Sequence, residues 1–143
     1  MNIYKEILLE HYRQPRNRGQ LEPADFSSDM HNPSCGDSVS FQGLIIKNQL
    51  VKLMFMGHGC VISQAAASML SEFAQDKKIE EIMNLNTSAM CTMIGMELGP
   101  TRLKCALLPL EALQKGLLRL NKEKGAEGAG SCEGNEGSSG TIK

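Results

Sequence analysis

The stretch "SVSFQGLIIKNQLVKLMFMGHGCVISQAAASML", residues 38–70, changes its hydrophobic period once, and that change limits the folds open to the chain. Before "GHGC" the apolar residues alternate loosely: Val39 and Phe41, then Leu44 to Ile46, then Val51, Leu53 and Phe55. Alternation sets one face of a strand against a core, and "KNQ" between the two runs fits a hairpin turn. After "GHGC" the repeat becomes helical. Ile62, Ala65, Ala66, Met69, Leu70 and Phe73 form one stripe from Val61 to about Gln75. Two neighbouring strands that run straight into an amphipathic helix predict a helix laid on one face of an antiparallel sheet.

The flanking segments add helices. Residues 2–13 place Ile3, Ile7, Leu8 and Tyr12 on one helical face, closed by Pro15 and Gly19. "QLEPADFSSDMHNPS" reads as loop or irregular edge structure. "KKIEEIMNL" predicts a short helix, and Asn86 or Thr87 caps the next one, "SAMCTMIGMEL". Gly99-Pro100 breaks the chain before a last helix over about Thr101–Asn121, buried along Leu103, Leu107, Leu110, Leu113 and Leu117. Pro109 has no N–H to donate, so it predicts either a kink or a fresh helix start. The expected fold is therefore α+β, a small antiparallel β-sheet packed against several α-helices. From about Lys124 the sequence turns to Gly, Ser and Glu with little to bury. The expected organisation is one domain over 1–122 and a disordered tail over 123–143.

Composition excludes several function classes. A net charge of −1 gives no electrostatic footprint for nucleic acid or anionic membrane, and 4% aromatic residues without Trp leave no base-stacking platform. The charged N-terminal stretch has no signal-peptide core, and no run reaches the ~20 apolar residues of a membrane helix. The expected compartment is cytoplasmic and reducing, so five cysteines point to metal or thiol chemistry rather than a disulfide framework.

Three of those cysteines fall at ends of predicted elements: Cys35 before a strand, Cys60 between strand and helix, and Cys105 early in the last helix. Cys91 reads as core and Cys132 as an incidental exposed thiol. If "CGD" is extended, Cys35 and Asp37 point to one side. With Cys60 and Cys105 the set reaches three sulfurs and one oxygen, a donor set for tetrahedral zinc or an iron–sulfur cluster. A helix N-terminus at Cys60, and Arg102 and Lys104 beside Cys105, are expected to favour thiolates. The separations, 25 and 45 residues, are unlike the paired knuckles of zinc fingers. His11, His31 and His58 carry only the default expectation of exposed histidines.

The segments "EHYRQPRNRG", "NPSCGD", "GHGCVISQAAASML" and "RLKCALLPLEAL" together resemble the U-type iron–sulfur cluster assembly proteins, the IscU/SufU family, over roughly residues 4–118. The resemblance implies an IscU/SufU-like fold and a cytoplasmic protein that accepts sulfur from a cysteine desulfurase. It implies Cys35, Asp37, Cys60 and Cys105 as ligands of zinc or a [2Fe–2S] cluster, and Cys105 as the sulfur acceptor. Downstream apo iron–sulfur proteins or assembly factors would receive the product. Lys104 before the third cysteine resembles the zinc-dependent sulfur-relay branch. The short 45-residue spacing and lack of an insertion resemble the scaffold branch. A structural zinc module and a stand-alone thiol enzyme are the alternatives from other classes.

Overall fold

The computed structural model describes the backbone of residues 3–33 and 36–129, and the side chains within that span up to residue 120. Its elements in chain order are α1 (Ile3–Arg13), β1 (Phe26–Asn32), β2 (Asp37–Ile46), β3 (Gln49–His58), α2 (Val61–Ala74), β4 (Lys77–Lys78), α3 (Ile79–Met83), α4 (Thr87–Ile94) and α5 (Pro100–Ala129). The four strands form one antiparallel sheet in the order β1-β2-β3-β4. This is the expected α+β architecture. No helix among the described residues is long and apolar enough to cross a membrane.

The hairpin of β2 and β3 turns on Lys47 and Asn48, both with left-handed φ (52° and 64°), as a two-residue primed turn requires. Inward positions Asp37, Val39, Phe41 and Gly43 alternate along β2. On β3 the parity slips. Leu44 pairs with Lys52 and Ile45 with Leu50, so Val51 is an extra residue. That bulge turns Leu50 into the core and leaves Val51 half-buried, where strict alternation had placed Val51 inside.

β1 corrects the reading of residues 20–34 as loop or irregular edge. Phe26 and Ser28 face inward, and α5 crosses them at Gly116, where an added Cβ would lie 2.8 Å from the Ser28 Cβ and 2.9 Å from Phe26. A small inward residue is needed at that crossing, so the strand lacks the apolar alternation that would announce it.

α2 is buried almost all round, from Ser63 to Ser71, because it lies between the sheet and α5 on one side and α1 on the other. The end of its expected stripe differs: Phe73 is 41% exposed, and the Lys77 ammonium sits 4.8 Å from its ring centroid. α1 buries Leu8 and His11, while Ile3, Ile7 and Tyr12 of its expected face are exposed. The reason is polar packing. His11 Nδ1 lies 2.8 Å from Ser68 Oγ, and that oxygen accepts the Arg16 N–H at 2.8 Å. Ser71 Oγ, which donates to the Ser68 carbonyl, accepts from Asn17 Nδ2. The segment after α1 then pairs with β3: Phe55 N–H donates to Asn17 and Gly19 N–H to Phe55, each at 2.9 Å. With β4 on Gln49 and Leu50, the outer edge of β3 is covered at both ends.

Asn86 caps α4 through Oδ1 to Ala89 N–H, and α4 stops at Ile94 because Gly95 turns left-handed (φ 78°), short of the expected Leu98. α5 begins with Pro100 at its first position. It continues through Pro109, so no new helix starts there, and reaches Ala129, beyond Asn121 and into the segment whose composition suggested a tail. Residues 130–143, with Cys132, lie outside the described residues.

Two predictions follow from this packing. In Gly116→Ala, helix propensity gains about 1 kcal/mol, but overpacking costs about 1–3 kcal/mol. The contact should win, and thermal unfolding should show a lower Tm. The second concerns His11. Burial, then Arg16, lowers its pKa below 6.5 against the opposing pull of Glu72 and Glu10. A depressed folded-state pKa means stability that is present above pH 6.5 and lost as pH falls through the folded value. Denaturant melts between pH 7.5 and 5 should therefore show a weaker pH dependence in His11→Gln than in the wild type. Parallel curves would refute the assignment.

Candidate metal centre

Three chain segments meet where the sheet gives way to helices. β2 opens with Asp37, whose neighbour Ser38 pairs with His58 at the end of β3. That register brings Asp37 beside Gly59 and Cys60. Cys60 is the N-cap of α2: its backbone is extended (φ −74°, ψ 166°) and its Sγ accepts the Ser63 N–H at 3.4 Å. Ser63 Oγ donates back to the Cys60 carbonyl at 3.2 Å. Cys105 arrives from the second turn of α5.

Asp37 is completely buried. Its Oδ1 accepts the Cys60 backbone N–H at 2.8 Å, and its Oδ2 accepts from Cys60 Sγ at 3.4 Å. A buried carboxylate is tolerable only with such partners. Gly59 has φ 141°, and a Cβ there would collide with Asp37 Oδ1 and lie 2.8 Å from its Cγ. Gly59 is thus required both for the backbone conformation and for the approach of the carboxylate. Sequence reasoning had passed over Gly59 and Ser63, although the glycine of "GHGC" was the available signal.

The ligating atoms of Asp37, Cys60 and Cys105 all lie within 4.8 Å of one another, the one such group of three or more among the described residues. Cys60 is half-buried and Cys105 buried. Burial pushes the Cys105 thiol above its ordinary pKa, and hydrogen bonds to Asp37 and Cys60 and the negative charge of both push it the same way. This reverses the expected activation by Arg102 and Lys104. Both side chains are exposed, and neither contributes to the shift.

Two soft sulfurs and one harder oxygen, all anionic when deprotonated, gathered in a buried place, fit a divalent cation of zinc-like preference. Such an ion would offset the repulsion and burial that now favour a protonated Cys105. Cys35, the expected fourth donor, lies outside the described residues. The argument that an extended "CGD" aligns Cys35 with Asp37 does not hold, because Gly36 is left-handed (φ 76°) and donates its N–H to the Asn32 carbonyl at 2.8 Å. Cys91 lies half-buried on α4 rather than in the core. His31 and His58 are exposed as expected, whereas His11 is buried.

A sequence model of the NifU-like N-terminal domain matches residues 3–127. The zinc-dependent sulfurtransferase SufU of Bacillus subtilis is 33% identical over 134 residues, covering 82% of this chain and 90% of that protein. The iron–sulfur cluster assembly scaffold protein IscU 1 of Archaeoglobus fulgidus is 28% identical over 123 residues, covering 86% and 80%. Among solved structures, FiSufU, a candidate SUF-system scaffold protein of Fervidobacterium islandicum AW-1, superposes with a TM-score of 0.71 at 29% identity, covering 80% of this chain and 96% of that one. The N-terminal part of a NifU-like protein of Brucella abortus gives a TM-score of 0.70 at 19% identity, covering 85% and 96%, and attests the fold. Sequence and fold agree, and the chain belongs to the NifU-like N-terminal domain family.

Proposed function

We propose that this protein serves iron–sulfur cluster assembly. It accepts sulfur from a cysteine desulfurase at the junction of β2, α2 and α5 and holds zinc or a nascent [2Fe–2S] unit there. The observation that carries the reading is the convergence of Asp37, Cys60 and Cys105 within 4.8 Å. Cys35 would complete a set of three sulfurs and one oxygen. A zinc ion bound to that set would hold its thiols as thiolates at neutral pH.

Sulfur acceptance needs little from the protein beyond a positioned thiolate. The sulfur of Cys105 attacks the outer sulfur of a desulfurase persulfide. A new S–S bond forms on Cys105, and the desulfurase cysteine leaves as its thiolate. Burial protects Cys105 until then, and Pro109 loosens the helix beside it, since residue 109 cannot donate to the Cys105 carbonyl four positions back. Asp37 is the hard donor of the set, so it binds an iron–sulfur cargo less firmly than a fourth thiolate would. That suits a protein that hands its product to apo iron–sulfur proteins or assembly factors in the cytoplasm.

A second reading, a zinc-dependent sulfur relay that builds no cluster, is favoured by the likeness to the Bacillus SufU, which is named a zinc-dependent sulfurtransferase. Iron, zinc and acid-labile sulfide in anaerobically purified protein separate the two. Iron with matching sulfide supports the scaffold; about one zinc per chain without sulfide supports the relay.

Further expected outcomes follow from the geometry. Cys105→Ser should abolish persulfide on the protein, read by mass spectrometry after incubation with a desulfurase and cysteine. Persulfide retained there and lost in Cys60→Ser would move the acceptor to Cys60. Gly59→Ala should lower metal content by displacing Asp37, even where circular dichroism shows the fold intact. Because the Cys105 pKa is raised, zinc must displace a proton from that thiol near neutral pH. Zinc affinity should fall as pH falls, with proton release visible in weak buffer. A pH-independent affinity would count against thiolate ligation. If the cargo is a cluster, Asp37→Ala should slow its transfer to an apo-ferredoxin, and unchanged or faster transfer would remove the proposed role of the oxygen donor.

A further inference from the structure

The thiol centre lies on the helix-covered side of the sheet. The opposite face of the same sheet end carries a second set of donors. Strand register places His31 of β1 opposite Ser38 of β2, and Ser38 opposite His58 of β3. Residues directly paired across antiparallel strands point to the same face. His31, Ser38 and His58 therefore form one row across three strands, on the face opposite to buried Asp37 and Val39. Both histidines are exposed. They account for two of the three histidines in the chain.

The row has the form of a cation site. Two strand spacings separate the histidine backbones by ~10 Å. Only a serine stands between them, so two imidazoles leaning inward can meet above it. One already leans: His58 Nδ1 lies 3.3 Å from Ser38 Oγ, in the direction of His31. His31 has no hydrogen-bond or ionic partner among the described residues, and nothing there holds its ring away. The next row adds exposed Asp29 and, across Ser40, Met56 at 37% exposure. That row offers a carboxylate and a thioether; the cations flanking the two rows, Arg18 and Lys115, are engaged by the Gly57 and Asp29 carbonyls at 2.9 and 3.5 Å.

We propose that His31 and His58 together bind one divalent transition-metal ion of borderline softness, such as zinc, on the open face of the sheet, with water in the remaining positions. The site is separate from the thiol centre and does not rest on the sulfur-acceptor reading. It adjoins that centre in sequence: Ser38 directly follows Asp37, and His58 lies two residues before Cys60. An ion captured there is held at the edge of the buried donor set.

Zinc titration calorimetry of the full chain, carried out on the Cys35→Ser/Cys60→Ser/Cys105→Ser variant, removes every thiolate of the proposed centre and leaves this site to be read. One binding event weaker than the thiolate event of the wild type should remain, and adding either His31→Ala or His58→Ala should remove it. Imidazole carbon–proton NMR of the same variant gives an independent readout: the His31 and His58 ring signals should move together on adding zinc, while buried His11 stays fixed. Both replaced side chains are exposed, so loss of the event with an unchanged circular dichroism spectrum is loss of ligands. Absence of the event, its survival in either histidine variant, or a shift of one ring alone overturns the proposal.

Discussion

The hydrogen bond from the Cys60 backbone N–H to the buried Asp37 carboxylate ties the start of β2 to the start of α2. It fixes the first residue of β2 to the residue that caps α2. The two ends must be in register for the carboxylate to be satisfied, and the pairing of Ser38 with His58 supplies that register. Gly59 then follows as a necessity, since any side chain there would occupy the space of the carboxylate. Cys60 inherits its place from the same bond: with its N–H engaged by Asp37, its sulfur turns to the free Ser63 N–H at the start of the helix. The donor set is a consequence of how a strand end and a helix start are fastened, and α5 only has to deliver Cys105 to it.

The same fastening explains the electrostatics. A thiol buried beside a carboxylate and a second thiol resists ionising, so the Cys105 proton stays on sulfur. Charge on the surface does little to change this. Arg102 and Lys104 are near in sequence, but solvent screens them from a thiol that lies on the inner face of the helix. Adjacency in sequence suggested activation because it takes no account of which way a helical side chain points. A cation inside the donor set acts at bond length, where the cations outside it do not.

How much of this was legible in the sequence varied with the physics of each element. The β2–β3 hairpin and α2 were readable in outline because burial sets most of their pattern, apart from the bulge in β3 and the exposed Phe73 at the end of α2. β1 was not, since at Ser28 closeness to α5 matters more than apolar surface, and closeness demands a small residue in place of a hydrophobic one. The exchange of Val51 for Leu50 in the core needs a bulge, and no residue type announces that bulge. Of the face expected inward on α1 only Leu8 is buried, because His11 beside it is held by a serine of α2 and not by apolar contact. At the centre, Asp37, Cys60 and Cys105 were legible as residue types at element ends. Their separation in sequence said nothing of their meeting, and the resemblance to a known family carried that expectation. The sign of the Cys105 shift was invisible, being a property of burial and neighbours that only folding supplies.

The position of the centre also follows from the limits of the fold. A buried polar group is costly in the middle of a packed sheet, where every neighbour is apolar. At the end of the strands the backbone itself has unused donors: the first N–H groups of α2 and the turn at Gly59. Those donors offset the burial of Asp37 and orient Cys60, so the polar set sits where the hydrophobic core stops. Beyond Val39 and Phe55 the core gives way to Asp37 and Gly57, and then to cysteine. Chemistry that needs buried anionic ligands and access from outside has one suitable place in such a sheet, the end where strands become helices.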